Sequence, residues 1–241
     1  MNHAVAKILA ATALAAGLVA GVAGSAFATS STVPPSKQAA LDALKAKCDA
    51  AITERLNSIG VVTARISSAK HLGTDQAALL AIFNDPSTGA IGGLNALKTK
   101  IDDPNGDPNL KADCDSIFTN FRIYALRIPQ VRLVVAADDE TAAIARLTTA
   151  ATNLQNLIDK VKDTSRDLDG AKAALADMNA KLADATKQVN GVNTAVIKFS
   201  PSDWNKKHDV LAPYVTDVKA VRADLVAAVA DARTVVKDLR K

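Results

Sequence analysis

From Leu168 to Phe199, apolar or small side chains recur at Leu168, Ala171, Leu175, Met178, Leu182, Ala185, Val189, Val192, Val196 and Phe199, in unbroken steps of three and four. A helix turning every 3.6 residues sets these along one narrow face of a rod about 50 Å long. Lys172, Asp177, Lys181, Asp184, Lys187 and Gln188 take the remaining faces. Such a stripe must be covered by partners with the same period.

Two partners are found. Ile144, Leu147, Ala151, Leu154, Ile158 and Val161 form one stripe, and the short turn at Asp163-Thr164-Ser165 makes that helix an antiparallel neighbour of the rod. Leu211, Tyr214, Val218, Val221, Leu225, Ala228, Ala232, Val235 and Leu239 form the other. Ser200 is a cap, Pro201 suits a first turn and Asp203 favours the positive helix end, so this stretch closes the rod and starts the last helix, which Pro213 is expected to kink. Aromatic residues make up only 3% of a chain that is 49% apolar, which suits close packing of Ala, Leu, Val and Ile. The expected fold is all-α: an elongated antiparallel helical bundle with coiled-coil-like heptad seams.

Residues 1–28 read as a cleaved signal peptide: Lys7, then the uncharged run Ile8 to Ala23, then the small-x-small site Ala26-Phe27-Ala28. The alternative is a retained membrane anchor, for which Gly17 and Gly21 have helix-dimer spacing. Residues 29–35 form a flexible Ser, Thr and Pro-rich linker; 36–137 form an N-terminal helical region and 138–241 a C-terminal three-helix region, packed as one domain or two joined subdomains. Removing the leader leaves 28 basic against 25 acidic side chains, with opposite charges mixed along each helix. That mixture argues against a nucleic-acid partner.

The N-terminal region opens with Ser36 as a cap and a helix to about Ala69, whose face reads Leu41, Leu44, Cys48, Ile52, Leu56, Ile59, Val62 and Ile66, with a drift in register between Cys48 and Leu56. Thr74 is expected to cap a second helix carrying Leu79, Ile82 and Phe83. Pro86 should break that helix before Ile91, Leu94, Leu97 and Ile101 resume it, weakened by Gly92 and Gly93. The stretch Asp102 to Pro108 lacks the ligand spacing of a calcium loop and reads as a turn. A regular stripe then runs through Leu110, Cys114, Ile117, Phe121, Tyr124 and Ile128; Pro129 follows as a kink or a helix start, and Leu133-Val134-Val135 should be buried on several sides. Cys48 and Cys114 lie on core faces of a chain with an export signal, so a disulfide is the natural reading and a pair of buried thiols the competing one.

Phe121-Arg122-Ile123-Tyr124, then Pro129 and Val131, then Ser202-Asp203-Trp204-Asn205 with Leu211, Pro213 and Tyr214, together with Cys48 and Cys114, resemble a group of secreted, uncharacterised helical proteins of actinobacteria. The resemblance implies export from a Gram-positive cell and a coiled-coil-like fold. It implies no activity, cofactor or site residue.

Catalytic and ligating patterns are missing from the sequence. His71 and His208 stand outside any metal-ligand spacing, and neither a G-x-S-x-G elbow nor a glycine-rich phosphate loop occurs. Asp138-Asp139-Glu140 reads as a helix start facing the positive dipole rather than a cation site. Trp204, beside Lys206, Lys207 and His208, is the candidate interaction surface; its structural reading is a cover over helix ends. These features point to a non-enzymatic secreted or envelope-associated protein of structural or interaction type, without cofactor or metal. Its partner is an unknown protein or envelope component, membrane contact is not favoured, and self-association through a seam is open. The alternative is a carrier of a lipid or other apolar ligand, held where Gly92, Gly93 and the prolines loosen packing around Ile128 to Ala137.

Overall fold

The computed structural model describes residues 37–104, 106–162 and 167–240. The leader, the linker, Ser36 and the turn at 163–165 lie outside them. Among the described residues there is no strand. The helices are α1 (Lys37–Ser68), α2 (Asp75–Asn84), α3 (Ala90–Ile101), α4 (Leu110–Thr119), a π-helical turn (Ile123–Arg127), α5 (Ile128–Lys160), α6 (Leu168–Val189), α7 (Val192–Ile197), α8 (Pro201–Lys206) and α9 (Ala212–Asp238).

Two apolar cores divide the molecule. The first gathers α1 to α4, the π-turn, Val131 to Ala137 of α5, Val192 and Val196 of α7, and Val210, Leu211 and Val218 around the start of α9. The second joins Leu147, Ala151, Leu154 and Ile158 of α5 to Ala171, Leu175, Met178 and Leu182 of α6 and Ala228, Ala232, Val235 and Leu239 of α9. Between them Ile144, Ala185 and Val221 form a small cluster of their own. Rising numbers in α5 and α9 meet falling numbers in α6, so α6 runs antiparallel to both.

The rod breaks where its period gave no warning. Gly191 takes φ +76°, a left-handed conformation that suits a residue without Cβ, and separates α6 from α7. The stripe nevertheless continues inward on both sides, since Val192 and Val196 are buried like Met178 and Ala185. α5 also departs from expectation. It runs unbroken through Asp138-Asp139-Glu140, so these acids sit in mid-helix and face no helix terminus. The continuous helix thereby crosses the 137/138 division, and α7 from the C-terminal region packs into the first core.

Other local expectations change as well. Thr74 stands before α2 but makes no side-chain cap; Asp75 N–H donates instead to Leu72 O at 2.8 Å. From α2, the Gln76 amide reaches back to Ile66 O and Ser67 O and satisfies carbonyls at the end of α1. The stripe from Leu110 to Ile128 is interrupted by Asn120 to Arg122, with Arg122 at φ 47°, and Tyr124 is exposed. Pro213 lies in the first turn of α9, where it starts the helix instead of kinking it. Pro201 does the same for α8, which is a separate six-residue helix before α9.

Some readings agree closely. Pro86 separates α2 from α3, and the Asp85 carboxylate accepts from Ser87 N, Thr88 N and Thr88 Oγ1 at 2.7 to 2.9 Å to hold the turn. Leu133, Val134 and Val135 are all buried. Cys48 and Cys114 are disulfide-bonded with Cα atoms 5.5 Å apart, tying α1 to α4. Gly93 is a seat for another residue: a Cβ there would lie 2.6 Å from the Phe121 ring. The Phe121 ring thus occupies the space a side chain at position 93 would take.

Candidate functional site

The register drift read in α1 has a concrete cause. Its buried face is Cys48, Ile52, Arg55, Ile59, Val62 and Ile66, an even heptad in which a charged residue takes the slot assigned to Leu56. Arg55 is only 7% exposed. Its guanidinium lies 4.4 Å from the Phe118 ring centre and 5.2 Å from that of Tyr124, and Nη1 donates to Ala51 O at 2.8 Å. The two rings shield the cation, and Tyr124 Oη bonds Ser58 Oγ at 3.0 Å. Burial lowers the Arg55 pKa.

A second polar lock holds the end of α7. Gln130 is completely buried, and its Nε2 donates to Val196 O at 2.6 Å and to Ile197 O and Phe199 O at 3.1 Å. Arg127 Nη1 adds a bond to Phe199 O at 2.8 Å and one to Gln130 Oε1 at 3.1 Å. Carbonyls at the helix end are thus met by an amide and a cation, Val196 O also accepting from Phe199 N–H at 3.2 Å. Burial lowers the Arg127 pKa to about 10, which leaves it charged at neutral pH.

This lock fixes where α8 begins. Ser200 Oγ accepts from Asp203 N–H while the Asp203 carboxylate accepts from Ser200 N–H at 2.9 Å and Oγ–H at 2.6 Å, a complete capping box. Those bonds hold the Asp203 carboxyl below its ordinary range. At the other end of α8, Asn205 Oδ1 accepts from Arg122 Nε at 2.6 Å and its Nδ2 donates to Thr119 O at 3.0 Å. Arg122 is the residue with the left-handed backbone, so Asn205 stabilises the strained corner between α4 and the π-turn. The two landmark stretches, Phe121 to Tyr124 and Ser202 to Asn205, therefore meet in space.

On this corner Trp204 is partly buried against the first core and its ring lies 5.8 Å from that of His208. Lys206, Lys207 and His208 are exposed, with Lys207 Nζ 3.7 Å from Asp209. Phe118 and Tyr124 stand 49% and 42% exposed on the neighbouring α4 and π-turn. A half-covered indole beside exposed ammonium groups suits non-covalent contact with planar, apolar or anionic groups.

A third polar group lies at the junction of the two cores. His71 Nδ1 lies 2.8 Å from Asp139 Oδ1, and Arg146 Nη2 lies 3.1 Å from His71 Nε2. Asn193 Nδ2 donates to Asp138 Oδ1 at 2.5 Å. Glu140 is 5% exposed, with Arg222 Nε 3.4 Å from Oε1. Burial outweighs that cation and pushes Glu140 up to about 7; burial and then the Asp75 charge push Asp138 up to about 6. Among the described residues no group of three or more His, Cys, Asp or Glu side chains could hold a metal ion. No described helix is long and apolar enough to cross a membrane.

No protein-family model, curated protein or solved structure matches the chain.

Sequence period did not reveal Arg55, Arg127, Gln130 or the Asp138 and Asn193 pair. Arg55 had a signal, since it completes the α1 heptad that Leu56 interrupts. Gln130 had a weaker one, a lone amide within the apolar run Ile128 to Ala137.

Proposed function

We propose that this chain is an exported helical interaction protein, acting outside the cytoplasm through the α8 corner. In this reading residues 1–28 are a cleaved leader, the chain is related to the secreted helical proteins of actinobacteria that its landmarks resemble, and the long helices form an elongated, coiled-coil-like bundle that carries the corner. The single supporting observation is that Asn205, between half-buried Trp204 and the exposed Lys206, Lys207 and His208, is bonded to Arg122 and Thr119, over eighty positions away.

The test is a photo-crosslinking residue at position 207 in the full-length gene, expressed in producing cells. Medium, wall and membrane are then separated. The mature chain should be found outside the cytoplasm and crosslinked to one recurring envelope component, with the product lost when the probe is moved to Lys172 on α6. An intact precursor in the cytosol, or equal products from both positions, would overturn the reading.

A further inference from the structure

We propose that Asp138 and Asn193 form a proton-bridged pair that docks α7 on α5 while Asp138 is protonated and frees the start of α7 when the proton leaves. The bond from Asn193 Nδ2 to Asp138 Oδ1 uses one atom of each group. The remaining atoms, Asp138 Oδ2 and Asn193 Oδ1, are both buried and both without a partner. A carboxylic acid and a carboxamide close a ring of two hydrogen bonds, and one proton on Asp138 Oδ2 supplies the missing donor. Turning the amide over would set two oxygens 2.5 Å apart, which also requires a proton between them. Both orientations give a proton on Asp138 an acceptor in Asn193 Oδ1.

The surroundings favour that state. Asp75 of α2 and Asp139 on α5 itself add negative charge, while His71 from the link between α1 and α2 and Asn193 of α7 oppose it. On α9, Arg222 faces Glu140, two residues further along α5. Burial leads, and the Asp138 proton is held to about pH 6. Once it leaves, the Nδ2 bond remains while Asp138 Oδ2 and Asn193 Oδ1 are both buried acceptors with no donor between them. Such orphaned polar atoms are costly.

α7 is built to respond. It begins after the left-handed Gly191, is six residues long, and has its carbonyl end held separately by Gln130 and Arg127. Release therefore falls on its first turn, where Ala195 N–H bonds Gly191 O at 3.0 Å.

Amide hydrogen exchange of the full chain, compared at pH 5 and pH 7.5 and corrected for intrinsic rates, reads this directly. Protection at Ala195 to Ile197 should fall roughly tenfold at the higher pH. Asp138→Asn replaces the acid with an amide that makes both bonds unaided, so its protection should stay high at both values. Glu140→Gln should keep the wild-type fall. Equal wild-type protection at both pH values, an unchanged fall in Asp138→Asn, or its loss in Glu140→Gln would each overturn the proposal. If Asp138→Asn does not fold, carboxyl carbon-13 titration of the wild type decides: a midpoint near 6 at Asp138 supports the pair, and one near 4 overturns it.

Discussion

The two cores are held together by different means. The first collects Phe83, Phe121, Phe199, Trp204 and Tyr214, a disulfide, and helix ends met by Gln76, Asp85, Gln130 and Arg127. The second is aliphatic throughout, with Ala171, Ala228 and Ala232 letting three long helices approach closely. One region depends on particular atoms meeting particular atoms. The other depends on a repeated pattern, and it should tolerate any residue that preserves volume.

The sharpest way to break this comparison is the disulfide. Cys48→Ser with Cys114→Ser should cost about 4 kcal/mol on the chain-entropy account of a loop with 66-residue separation, measured by urea denaturation. Exchange protection should drop in α1 to α4 and stay nearly unchanged between Ala171 and Leu182. Equal losses in both regions would show that the cores do not differ as described.

A matched pair of substitutions follows. Gln130→Leu leaves the carbonyls of Val196 and Ile197 without their amide donor and should destabilise by about 1–3 kcal/mol. Met178→Leu, at an equally buried position in the second core, should cost less than about 1.5 kcal/mol. Reversal of that order would count against atom-specific locking in the first core.

The junction adds a pH term. The folded-state pKa of Glu140 is raised to about 7, so the native state holds this proton more tightly than the unfolded chain. Its stabilising contribution is complete below the ordinary glutamate range and is lost as pH rises through 7. The urea midpoint should therefore decline from pH 5 to pH 8, and less so in Glu140→Gln. The smallest effect belongs to the surface: Val226 is 63% exposed, and Val226→Ser should change stability by no more than about 0.5 kcal/mol.

The same contrast governs what could be read in advance. In the second core, Ala171, Leu175, Met178 and Leu182 announce their burial through spacing alone, because steps of three and four return to the same face of a helix. Cys48 and Cys114 were legible because each falls on a core stripe. Gln130 and Arg55 were not, since their burial depends on acceptors and rings supplied by distant segments: Val196 and Phe199 for one, Phe118 and Tyr124 for the other. Gly191 interrupts a perfect stripe, and a period cannot register a turn that leaves the stripe facing inward on both sides. Asp138-Asp139-Glu140 misled for a related reason. Consecutive acids are common at helix starts, yet here Asn193 and Arg222 receive two of them from other helices in the middle of α5. At the α8 corner, Ser200, Pro201 and Asp203 disclosed a helix start, while the bridge from Asn205 to Arg122 joins residues 83 positions apart and has no local trace.

The 33 residues of α5 form a strut about 50 Å long whose two ends are sunk in separate cores. A force applied near Lys160 would reach the π-turn almost undiminished, because an uninterrupted ladder of backbone bonds has little give along its axis. The return path through α6 and α7 has a pivot at Gly191.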